Sequence, residues 1–149
     1  MLSRLARLKR RVAPQRHPGR AATPIAAADP DVEAFLRVAR ASFVKLQAAW
    51  DAADLGALAA ITTEDLLAEL REQLEVRGPG PNRTEVLALE ARLLGLDEVG
   101  EGLVASVEFS GWIRERLEER AAPFRELWLL ANLKSAGRGW QIARVQALS

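Results

Sequence analysis

The chain has no cysteine, no tyrosine and a single histidine among its 149 residues. Without cysteine there is no disulfide, no thiolate nucleophile and no cysteine-ligated metal. Without tyrosine, and with His17 in a stretch rich in arginine, proline and glycine, the candidate general acids and bases reduce to carboxylates. No run approaches the ~18 apolar residues that a membrane-spanning helix needs. The positive N-terminus lacks the apolar centre of a secretory signal. No metal-ligand spacing, glycine-rich phosphate loop or nucleophile elbow occurs, and no cofactor is expected. Acids are missing from one region altogether. Residues 1–28 contain Arg4, Arg7, Lys9, Arg10, Arg11, Arg16 and Arg20 and not one Asp or Glu.

The net charge of +1 therefore joins two unlike parts. The first 28 residues carry +7, and the remaining 14 basic and 20 acidic residues give −6. The expected organisation is a basic arm over 1–28 and a single domain over 29–149, a length that buries a real core.

MLSRLARLKRRVAP would make about three turns of helix, with Leu2, Leu5, Leu8 and Val12 near one face and the cations on the other. Pro14 ends it, and 15–28 read as a flexible linker. Three readings of the arm stand side by side: a solvated tail, a membrane-surface anchor, and an arginine-rich transit peptide. For the second, each cation near an anionic leaflet contributes about 1 kcal/mol, so the five cations of residues 4–11 supply roughly 4–5 kcal/mol. Nucleic-acid binding is disfavoured, because no aromatic residue interleaves with the cations and the body is acidic.

Within the body, Leu36, Ala39, Phe43, Leu46 and Trp50 recur at steps of three and four, one stripe along a helix. Arg37, Arg40, Lys45 and Gln47 fall off that stripe. Asp29-Pro30 opens the helix. Asp54 caps a short helix over 55–60, and Thr62 or Thr63 caps a helix over 64–77 that buries Leu66, Leu67, Leu70 and Leu74. Gly78-Pro79-Gly80-Pro81 ends the helical part.

Alternation then takes over. Leu103, Ala105, Val107, Phe109, Gly111 and Ile113 share one face, and Ser106, Glu108 and Ser110 the other. Residues 124–134 and 139–147 also read as strands around a Gly137-Arg138-Gly139 turn. Residues 85–96 favour helix by propensity, yet the DEVGEG loop closes them against 103–113 as a hairpin, so a strand is expected. Three helices followed by four antiparallel strands make an α+β domain with helices on one sheet face. A strongly curved sheet of this kind forms a cone with an apolar cleft.

The segments 35–70, 81–96, 104–115 and 123–148, among them WDAADLGALAAITTE, resemble the Tim44-like domain family over about 30–148. That family comprises the C-terminal domain of a mitochondrial inner-membrane import-motor tether and bacterial relatives. The resemblance implies a cone-shaped α+β fold similar to the nuclear-transport-factor-two-like superfamily. It also implies a non-enzymatic, peripheral inner-membrane domain that binds acidic lipid, a protein partner, or both. The alternative location is soluble and cytoplasmic. Bacterial members commonly place a hydrophobic segment before the domain, whereas the arm here is short and basic. Peripheral contact through Arg4, Arg7, Lys9, Arg10 and Arg11 is therefore expected, without an import-motor role.

Two further sites and an assembly are expected from the fold. Phe43, Trp50, Leu66, Phe109 and Trp128 are candidates for an apolar cleft that holds an acyl chain or a hydrophobic peptide. Trp50, Trp112, Trp128 and Trp140 are assigned to the core or its rim, and a filled core with no ligand is the alternative to the cleft. The alternative function is a small cone-fold enzyme, or a hydrophobic-ligand carrier, using an inward carboxylate from Glu90, Glu108 or Glu126. Against it, these residues would lie on the wet face or pair with Arg92, Arg114 or Arg125. Asp51 and Asp54 are assigned to a helix end and its cap. A homo-oligomer is a further expectation.

Overall fold

The computed structural model describes residues 30–78, 83–115 and 119–148. The basic arm, its helix and linker, the Asp29 cap and most of the Gly-Pro turn lie outside the described residues. Three helices come first: α1 over Pro30–Asp51, α2 over Leu55–Ile61 and α3 over Glu64–Arg77. Four strands follow: β1 over Glu85–Val99, β2 over Gly102–Arg114, β3 over Ala122–Leu133 and β4 over Trp140–Ala147. They form one open antiparallel sheet in the order β1-β2-β3-β4. This is the expected α+β arrangement.

The helix starts follow from capping. The Asp54 carboxylate accepts from the Ala57 N–H at 3.0 Å and caps α2. The Thr63 hydroxyl accepts from the Leu66 N–H at 3.4 Å and caps α3. Thr62 does not cap α3. Its hydroxyl donates to the Leu58 carbonyl at 2.7 Å, and its backbone bridges to Ile142 on β4. The apolar stripe of α1 is buried as expected, but the covered arc is wider than that stripe. Gln47 is 4% exposed, because α1 lies against both β1 and α2.

The β1 segment pairs along its whole length with β2 despite its helical propensity. Two register shifts, between Val86 and Ala88 and between Leu93 and Gly95, each insert a residue and reverse which parity faces inward. Clean alternation is therefore absent from its sequence. At the first shift the two strands approach closely: a Cβ on Gly111 would stand 1.9 Å from the Ala88 carbonyl oxygen. Only glycine fits there.

One face of the sheet packs on the helices. Phe43 lies at the centre, its ring 5.0 Å from Phe109, 5.4 Å from Phe124 and 5.1 Å from Trp128, centroid to centroid. Phe109 meets Trp128 edge-on at 4.9 Å. Leu46, Leu58, Leu66, Leu70, Val107, Ile113, Leu130 and Ile142 are among the other residues of the buried cluster.

The free side of β4 is partly covered by the α2–α3 junction. The Thr63 N–H donates to the Ile142 carbonyl, and the Gln141 amide donates to the Thr62 carbonyl, each at 3.0 Å.

Candidate functional site

Three places carry side chains beyond simple packing. The first is the aromatic centre. Phe43, Trp50, Leu66, Phe109 and Trp128 all belong to the core, none more than 2% exposed. The structure brings Phe43, Phe109 and Trp128 into mutual contact, so their own rings fill the space between α1 and the sheet.

One carboxylate enters this centre. Glu126 shares its strand parity with Phe124 and Trp128, faces inward and is 1% exposed. The expected place for it, the wet face or an arginine across the strands, gives way to this inward position. The Trp128 indole N–H donates to its Oε1 at 2.9 Å, a partner of the kind that a buried polar group requires. Chain parity carries the signal that would have placed it: with Trp128 inside, Glu126 is inside too.

The other two carboxylates go elsewhere. Glu90 is exposed. Glu108 stands on the outer face between two arginines, with Arg92 Nη2 at 3.1 Å and Arg125 Nε at 2.9 Å. The three candidates therefore never meet. The Glu126 carboxylate, bonded to the indole, orients that ring.

The second place is the end of the core where α1 and α3 finish and β1 begins. Asp51 accepts from both the N–H and the hydroxyl of Thr84, at 2.6 and 2.9 Å, and ties the end of α1 to the start of β1. The Arg77 guanidinium lies 5.3 Å from the Trp50 ring centroid, within cation–π range. Buried near this tie, the Gln47 amide nitrogen and the Trp50 indole nitrogen find no hydrogen-bond partner among the described residues. Gln47 escaped the sequence reading because one off-stripe residue carries no local sign of burial.

The third place is the outer face. Trp112, between the inward residues Gly111 and Ile113, points away from the helices and is 50% exposed. Trp140 is half-buried against Phe35, with ring centroids 4.9 Å apart. Arg4, Arg7, Lys9, Arg10 and Arg11 lie outside the described residues. Among the described residues, no group of three or more His, Asp or Glu side chains is arranged to hold a metal, and no helix is long and apolar enough to cross a membrane.

Compared with known families, the chain matches the model of the Tim44-like domain over residues 19–147. No curated protein matches it.

Proposed function

The chain belongs to the Tim44-like domain family, and from that premise we propose that it is a non-enzymatic tethering domain at a membrane surface. The arm meets acidic lipid, and the α+β body presents its surface to a protein partner. The observation that carries this reading is the division of charge: +7 with no acid in residues 1–28, against −6 in the rest. A cationic segment that also carries leucines is drawn to an anionic leaflet. This arrangement favours reversible, peripheral attachment. The closed aromatic centre and the separation of Glu90, Glu108 and Glu126 support a binding role over catalysis.

Cosedimentation of the full chain with vesicles tests the proposal. The wild type is expected to sediment with phosphatidylglycerol-containing vesicles and to be released by high salt, since the screening length falls from about 10 Å at 0.1 M to about 3 Å at 1 M. Replacing Arg4, Arg7, Lys9, Arg10 and Arg11 together by Gln removes roughly 4–5 kcal/mol of attraction. The partition constant should fall by a factor of about 1,000 or more. Equal and salt-insensitive sedimentation of the two proteins overturns the reading.

A further inference from the structure

Trp112 is the large aromatic residue that this fold leaves in the open. Its neighbours across the sheet are Ala88 on β1 and Pro123 on β3, both exposed and too small to shield an indole. Beside it the register shift between Val86 and Ala88 leaves Leu87 out of the alternation and 50% exposed. The result is a small apolar prominence at the end of the outer sheet face, where β1 begins and β2 ends.

Its surroundings are arginine-rich. Arg83 and Arg120 precede β1 and β3, are exposed, and form no ion pair among the described residues. Arg114 is paired with Glu85 across the first strand pair. Arg92 and Arg125 share the single carboxylate of Glu108. With Glu90, Glu115 and Glu119 included, this part of the molecule holds five arginines and five glutamates, net zero, while the rest of residues 29–149 carries −6. An exposed tryptophan amid arginines, two of them outside any ion pair among the described residues, on a part of an acidic body that carries no net negative charge, has the chemistry of a headgroup-level contact. The amphipathic indole sits between water and acyl chains, and guanidinium groups pair with lipid phosphate.

We propose that this end of the outer face is a second lipid-contact surface, in which Trp112 and Leu87 enter the interface of an anionic membrane and the flanking arginines meet its phosphates. The inference rests on the membrane reading above and adds to it the face that the body turns toward the bilayer.

The molecule contains its own reporter. Trp50 and Trp128 are at most 2% exposed and Trp140 is packed on Phe35, so a change of tryptophan emission on vesicle binding comes chiefly from Trp112. The full chain is titrated with phosphatidylglycerol–phosphatidylcholine vesicles, with and without brominated acyl chains. The expected results are a blue shift and quenching by the brominated lipid in the wild type, and neither in Trp112→Phe. In Trp112→Ser and, independently, Leu87→Ser, partition should weaken about tenfold, as for loss of one inserted apolar side chain. Wild type that sediments with the vesicles while its emission stays unchanged, and Ser variants that partition like it, would overturn this surface and leave the arm reading intact. Wild type that fails to sediment at all overturns both.

Discussion

At the scale of single residues, the buried polar groups divide into those that are satisfied and those that are not. Glu126 receives the indole N–H of Trp128 and so fixes the ring at the centre of the core. Gln47, 4% exposed, buries an amide nitrogen with no acceptor among the described residues. Such a donor costs about 1–3 kcal/mol in lost hydration, whereas an apolar side chain of similar shape is free of that penalty. Gln47→Met should therefore raise stability by about 1 kcal/mol, read as a higher urea midpoint at unchanged slope. A drop in the midpoint would mean that the amide is satisfied in solution. Asp51 is the opposite case. Its carboxylate takes two hydrogen bonds from Thr84, and Asp51→Ala leaves the Thr84 N–H without its partner. The expected loss is about 2 kcal/mol in the same titration, with Asp51→Asn recovering part of it.

At the scale of elements, the hairpin between β1 and β2 depends on a place where two backbones nearly touch. Gly111→Ala would set a methyl carbon against the Ala88 carbonyl, so backbone must move. A loss of roughly 3 kcal/mol is expected. Gly95→Ala, where nothing lies within 4 Å of the new carbon, should be close to neutral by comparison. Thermal melts of the two variants side by side provide the check. Most elements could be read from the chain because their signals are local. The caps at Asp54 and Thr63, the stripe of α1 and the alternation of β2 are each carried by residues within a few positions of one another. The register shifts of β1 could not be read, because each depends on what the partner strand presents. Nor could the Asp51–Thr84 tie, whose partners stand 33 positions apart. The inward Glu126 and outward Trp112 were legible in principle. Both follow from parity once one inward neighbour on the same strand is known.

At the scale of the molecule, Phe43, Phe109 and Trp128 pack on one another while Glu90, Glu108 and Glu126 stand apart, and the proposed contacts are sought on surfaces. Two surfaces differ in charge from the acidic remainder: the arm and the outer end of the sheet around Trp112. The five-residue arm variant and the Trp112 and Leu87 variants test them separately, since one alters long-range attraction and the other short-range insertion. Raised salt should weaken the wild type strongly. It should change the already weak binding of the arm variant much less, because most of the screened charge is gone. The arm could be read as a composition. The outer surface could not, because it is assembled from the ends of three strands and a displaced leucine.

The sheet order carries a kinetic consequence. Every strand pairs with the one next to it in the chain, so the whole sheet closes through short loops at low entropic cost. The contacts of the α2–α3 junction with β4 are different: Thr62 and Thr63 meet residues about eighty positions away. The meander is thus the part that can nucleate by itself. Docking of the α2–α3 junction on β4 is then expected late in folding, and its release early in opening.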